Sequence, residues 1–285
     1  MCAYSTPTDE VNLSESQIRQ WMCEVGRRLW VNQMVGANGG NLSYRLGENR
    51  VLATPTYISK GFMEPEDLVI LDLQGNQLSG RRQMTSEIKM HLAIYKARSD
   101  IKAVVHAHPR HATAFAATKI PVPKCVLPEI EVFVGEVPIA PYETPGTQKF
   151  ADAIVPYLAD FTVILLANHG AVAVGKGIMD AYWKLEIVEA YCAVLLIARQ
   201  LGGPDQVQQS RMQEILQIKE RLGIPDRRIH DPIAARCDVP APTPGLGPLP
   251  GPGPGPEVSG SAAPVSADLV ERIVQAVVQR LARET

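Results

Sequence analysis

The stretch Val104-Val105-His106-Ala107-His108-Pro109 limits the possible folds of this chain more than any other. Its β-branched residues favour an extended backbone. In a strand, residues two apart share a face, so His106 and His108 can aim at one ion. Pro109 has no N–H and ends a central strand there. The pair therefore sits where a strand gives way to a loop, a common place for chemistry in an α/β protein.

Two other stretches place similar residues at element boundaries. Thr85-Ser86-Glu87 opens a helical pattern, and Ile164-Leu165-Leu166-Ala167-Asn168-His169-Gly170 runs an apolar strand into a turn. The chain has only six histidines, so three at strand ends before turn residues is more than composition predicts. Glu87, His106, His108 and His169 form a donor set suited to a divalent first-row metal, Zn²⁺ first. Each also has a plainer reading. The histidines could be a surface pair, and Glu87 a favourable charge at a helix N-terminus. His91 reads as core packing, or as a partner to a ligand, rather than as a ligand.

The remaining bounds are broad. At 285 residues and 31.1 kDa the chain can bury a large core, with one catalytic domain and a smaller appendage. A net charge of −2 gives no nucleic-acid footprint. No signal peptide is expected, and no apolar run reaches the ~20 residues needed to span a bilayer. Five scattered cysteines without a C-x-x-C pair suggest a reducing, cytoplasmic setting. Cys23 and Cys192 read as core residues, while Cys125 sits among prolines and could approach a cleft.

Ser14 with Gln17 forms a capping box for a first helix. Gly36-Ala37-Asn38-Gly39-Gly40-Asn41 cannot be a helix interior; it is either an anion-binding loop or a plain turn. Strands are expected at 51–54, 68–72, 101–105, 130–134, 136–139, 162–166 and 171–174. Helices are expected from Thr85 or Ser86 as cap, at 110–118, 149–158, 178–200 and 206–222. Strands alternating with helices indicate α/β, and strands joined without helices indicate antiparallel or mixed pairing.

Gly40-Asn41-Leu42-Ser43, Thr54-Pro55-Thr56, Ser86-Glu87, His106-Ala107-His108 and Asn168-His169-Gly170 together resemble the class II aldolase/adducin family, on its zinc-dependent L-fuculose-phosphate aldolase side. Glu87 precedes His106 by 19 residues and His169 follows His108 by 61, both as expected for that branch. The resemblance covers roughly residues 14–200. It implies an αβα sandwich with a mixed, largely antiparallel central sheet, assembled as a homotetramer with active sites between neighbours. It further implies that His106, His108, His169 and Glu87 hold zinc, and that Glu87 also transfers the proton. Asn38, Asn41, Thr56, Thr85 and Ser86 match phosphate-binding positions. The implied reaction splits L-fuculose 1-phosphate or L-rhamnulose 1-phosphate into dihydroxyacetone phosphate and lactaldehyde through an enediolate. A methylthioribulose-phosphate dehydratase, a pentulose-phosphate epimerase and a non-catalytic adducin-like module stay open as alternatives.

The sequence departs from the family pattern twice. Tyr57 stands where a glycine normally follows the threonine. Leu127 falls where the family places a proton-donating tyrosine, leaving Tyr142 as a substitute.

Composition shifts at the C-terminal end. A catalytic domain over 1–230 is followed by a Pro/Gly-rich linker over 231–264 and an amphipathic helix over 265–285. Leu269, Val270, Ile273, Val274, Val277, Val278 and Leu281 form its apolar stripe. An isolated helix this short is marginal in water, so it is expected to dock on a partner or fold back on its own assembly. The arrangement resembles an encapsulation peptide of bacterial microcompartment enzymes, which implies shell proteins as partners and a location inside that shell.

Overall fold

The computed structural model describes residues 13–237. The chain divides into two units, Met1–Leu246 and Gly247–Thr285, and the described residues belong to the first. The expected terminal helix, and the expected linker beyond Cys237, lie outside the described residues.

Helix α1 (Glu15–Val31) begins as its sequence dictates. Ser14 Oγ accepts from the Gln17 amide, and Gln17 Oε1 accepts from the Ser14 amide, closing the capping box. Two hairpin strands follow, β1 (Asn41–Gly47) and β2 (Arg50–Ala53), then β3 (Val69–Leu71) and β4 (Gln77–Ser79). Helix α2 (Ile88–Ala97) leads to β5 (Ala103–Ala107), α3 (Arg110–Thr118) and α4 (Pro128–Phe133). Then come β6 (Ile139–Ala140), α5 (Gln148–Ile154), the β7 (Val163–Leu166) and β8 (Gly170–Gly175) hairpin, α6 (Ile178–Gln200) and α7 (Gln209–Arg221).

The eight strands form one sheet in the order β4-β3-β2-β1-β5-β8-β7-β6. Only β6 and β7, separated by α5, pair in parallel; every other pairing is antiparallel. The period-2 alternation of the strands builds two cores. Leu42, Val105, Leu165 and Ala173 pack under α1, α3 and α6. Val104, Ile164, Val172 and Ala53 pack under α2 and α5 on the opposite face. This is the αβα arrangement with a mixed, mostly antiparallel sheet that the sequence led us to expect.

Three expectations are corrected. Residues 130–134 are not a strand but lie in α4 and its C-terminus. Pro128 at the first helical position presets the backbone, and Ile130 and Val134 then bury one turn apart. The β-branched content of the segment had argued the other way. Second, neither Thr85 nor Ser86 caps α2; Glu87 is the cap position, and its side chain is turned away to the site. Third, Cys125 does not approach a cleft. It is buried and disulfide-bonded to Cys237, with the Cα atoms 5.7 Å apart, so those two thiols are not free as the scattered cysteines suggested. Val132, Met212 and Ala235 pack around this link. Among the described residues, no helix is long and apolar enough to cross a membrane.

Candidate metal centre

Four element ends converge at one end of the central strands. Asn41 opens β1 and pairs across the ladder with His106 near the end of β5. Glu87 immediately precedes α2. His169 sits in the turn between β7 and β8. His108 lies just beyond β5, where its amide donates to the Met34 carbonyl.

The imidazole ligand atoms of His106, His108 and His169 lie within 4.8 Å of one another. The Nε2 atoms of His106 and His108 are 3.2 Å apart. Glu87 Oε2 is 3.2 Å from His106 Nε2, and Oε1 is 3.3 Å from His169 Nε2. His106 Nδ1 is 2.9 Å from the Ala171 carbonyl, which can only accept. Nδ1 therefore donates there, and Nε2 is the nitrogen turned to Glu87 and His108. Three imidazoles and a carboxylate around one small volume fit a divalent first-row cation.

Glu87 is held from behind. Asn41 Nδ2 donates to Glu87 Oε2 at 2.7 Å. Asn41 Oδ1 lies 2.5 Å from His91 Nε2, so that nitrogen must donate. His91 Nδ1 then accepts from Ser43 Oγ at 2.6 Å, and Ser43 Oγ accepts from the Tyr95 hydroxyl at 2.8 Å. This polarity requires a neutral His91, and its complete burial pulls the imidazole down to about 3. His91 is thus a partner that fixes Asn41, not a ligand. Sequence reading reached that role for His91 but missed Ser43 and Tyr95 as its supports. The available signal was a hydroxyl two residues after Asn41, on the same strand face.

Burial works against ionisation of Glu87. The charge and hydrogen bond of His106, the Asn41 amide and His169 outweigh it and hold the carboxyl well below the usual range. Burial pulls His108 down to about 3 and His169 to about 4, with like charge on His106 adding to the effect. An unfolded histidine titrates near 6.5. As pH falls through the window from there to about 3–4, the unfolded chain takes up protons that the folded chain refuses. The metal-free protein should therefore lose stability progressively as pH drops below about 6.5. Denaturant midpoints measured from pH 7.5 to 4.5 should fall, and a flat profile would contradict neutral, buried imidazoles.

The residues expected at phosphate-binding positions are brought together in part. Pro55 bridges Met84, Thr56 N donates to the Gln83 carbonyl, and Thr85 N donates to the Thr54 carbonyl. Thr56, Thr85 and Ser86 thus lie on two paired segments leading into Glu87. Asn38 is exposed in the glycine-rich loop, while Asn41 is buried with its amide on Glu87. Tyr142 is half-exposed in the loop 141–147, whose Gly146 lies against the Ser86 carbonyl.

Tyr57 takes φ 58°, a left-handed conformation that L-residues resist by about 1–2 kcal/mol. Its ring is 83% exposed and recovers little of that by packing. Tyr57→Gly should stabilise the fold by about 0.5–1 kcal/mol after the extra chain entropy of glycine. Chemical denaturation of both proteins would show it, and a destabilised variant would mean that the ring makes contacts of value.

The model of the class II aldolase and adducin N-terminal domain family matches residues 20–196. An L-fuculose phosphate aldolase of Methanococcus maripaludis is 40% identical over 166 residues, 58% of this chain and 89% of that protein. A 3-oxo-tetronate 4-phosphate decarboxylase of Haemophilus influenzae is 35% identical over 175 residues, 60% of this chain and 83% of that protein. Among solved structures, the L-fuculose-1-phosphate aldolase of Thermus thermophilus superposes with a TM-score of 0.60 at 26% identity, covering 68% of this chain and all of that one.

Proposed function

The chain belongs to the class II aldolase and adducin family as a metal-dependent class II aldolase, and we propose that it cleaves L-fuculose 1-phosphate or L-rhamnulose 1-phosphate to dihydroxyacetone phosphate and lactaldehyde. The observation that carries this reading is the Glu87 carboxylate facing His106 and His169, beside His108, and steadied by Asn41.

His106, His108 and His169 would hold zinc, with Glu87 as fourth ligand at rest. Bound there, the ion supplies Lewis-acid stabilisation of the negative charge left on the three-carbon fragment. Glu87, kept ionised by its neighbours, exchanges the proton at the carbon beside the carbonyl. The Asn41–His91 pair fixes the direction of that carboxylate before substrate arrives. Asn38, Asn41, Thr56, Thr85 and Ser86 hold the phosphate through amide and hydroxyl donors. Tyr142 exchanges the proton of the hydroxyl that becomes the aldehyde.

The test is incubation of the zinc-loaded protein with each ketose phosphate, with the products identified. Dihydroxyacetone phosphate and lactaldehyde are expected. No cleavage of either, with CO₂ released from a 3-oxo-tetronate 4-phosphate, would replace this substrate assignment by that of the decarboxylase relative.

The oligomer proposed is a homotetramer. For residues 240–285 the proposal is a targeting peptide for microcompartment shell proteins, supported by the Pro/Gly run and the apolar stripe from Leu269 to Leu281. Deleting 240–285 should preserve aldolase activity and abolish co-localisation with shell proteins. Unchanged co-localisation would remove the targeting role.

A further inference from the structure

Lys60 is a cation in an unusual place. Its side chain is 1% exposed. Its Nζ donates to the Asn38 carbonyl at 3.1 Å and to the Ile58 carbonyl at 2.8 Å. Two of its three ammonium hydrogens are thus spent on backbone. Among the described residues, no carboxylate forms an ion pair with it, and burial alone acts on it, pulling its pKa down to about 8. A buried charge without a counter-charge is unfavourable, so its position needs a reason.

The two carbonyls supply one. Asn38 belongs to the glycine-rich loop, whose Gly39 packs against the His108 ring. Ile58 lies two residues beyond Thr56, and residues 54–56 pair with 83–85. Lys60 therefore joins the two loops that carry the phosphate-binding positions. The fold makes room for it. A Cβ on Gly26 of α1 would stand 2.7 Å from the Lys60 carbonyl, and one on Gly61 would stand 2.6 Å from the Trp30 indole. Trp30 and Phe62 then close edge to face at 5.2 Å, seating the lysine turn on α1.

We propose that Lys60 is a positioning residue that clamps the glycine-rich loop to the Thr56 loop and supplies the counter-charge for a bound phosphate dianion. It acts through the backbone of both loops rather than by touching the phosphate. The proposal rests on the reading of this site as a sugar-phosphate site.

The experiment is calorimetric titration of the full-length, metal-loaded protein with inorganic phosphate and with dihydroxyacetone phosphate. Lys60→Met should weaken both affinities by about tenfold or more, since a charge-assisted arrangement is lost. Its thermal midpoint should be equal or higher, because a buried charge has been removed. In turnover, KM for the ketose phosphate should rise while kcat stays within about twofold. A lysine that only supports the fold would lower the midpoint and leave the phosphate affinity of the folded fraction unchanged.

A second readout keeps the test open if Lys60→Met fails to fold. At pH 9 the wild-type lysine is largely neutral, so binding of a dianion should draw a proton onto it. Titrations in buffers of different ionisation enthalpy should register that uptake at pH 9 and little of it at pH 7. Tight binding with no proton uptake, or a folded Lys60→Met that binds as wild type does, would overturn the role of Lys60 alone. Wild-type protein that binds neither compound would overturn the sugar-phosphate reading itself.

Discussion

Glu87→Gln is expected to lower kcat by about 10²–10⁴-fold, the range for loss of a positioned proton-transfer group. The amide keeps the size of the side chain and the proximity of Asn41 but cannot take a proton. The arrangement explains why the loss should be that large. His106 and His169 sit 3.2 and 3.3 Å from the two carboxylate oxygens, and His106 and the Asn41 amide favour the ionised form despite burial. Because Glu87 also belongs to the candidate ligand set, metal content must be measured on the same sample and kcat taken at saturating metal. On the proposed reaction, exchange of the dihydroxyacetone phosphate carbon-bound proton with heavy water isolates the step, and it should disappear with turnover. Full activity in a metal-replete variant would remove Glu87 from proton transfer.

Gly170→Ala should damage the same centre without changing any ligand. A methyl group at that position would stand 2.5 Å from the Ala107 carbonyl oxygen and 2.6 Å from Cδ2 of His108. Neither neighbour can yield freely. Ala107 is paired to Ala171 in the β5–β8 ladder, and the His108 amide is tied to Met34. The His108 ring must therefore turn away or the ladder must open. We expect a stability loss of about 1–3 kcal/mol from overpacking. Metal affinity should fall about 10–100-fold, as when a group that orients a ligand is disturbed. Gly36→Ala is the control, since a Cβ there meets nothing within 4 Å. Equal metal affinity in Gly170→Ala and wild type would show that the glycine does not set the His108 position.

The ligand types and their places at element ends were legible in the sequence because local signals agree there. A β-branched run followed by Pro109 ends a strand, and a strand running into Asn168-His169-Gly170 must turn. Asn168 does adopt φ 56°, a conformation that asparagine tolerates. The strand reaches Ala107, so His106 lies within it and His108 just beyond. The alternation of β5 was equally readable, with Val104 and Val105 entering opposite cores. Segment 130–134 was misread because its β-branched residues suit a strand, whereas Pro128 and the one-turn spacing of Ile130 and Val134 suit a helix. Two local preferences conflict there, and packing chooses.

What the sequence determined by itself is the inventory: three imidazoles and a carboxylate, a glycine-rich loop, and strands and helices whose periodicities demand a two-sided sheet. These follow from backbone sterics and hydrophobic spacing, which act over a few residues. What only the tertiary structure decided is which polar groups meet. Asn41 joins His91 and Glu87 across 50 and 46 residues of chain, and Cys125 meets Cys237 across 112. Lys60 reaches the Asn38 carbonyl from a neighbouring loop because Gly26 leaves it space. Hydrogen bonds and disulfides act over about 3 Å and carry no periodic signature. They could be located only after the sheet had set the register between strands, and that register turned a list of candidate ligands into one centre.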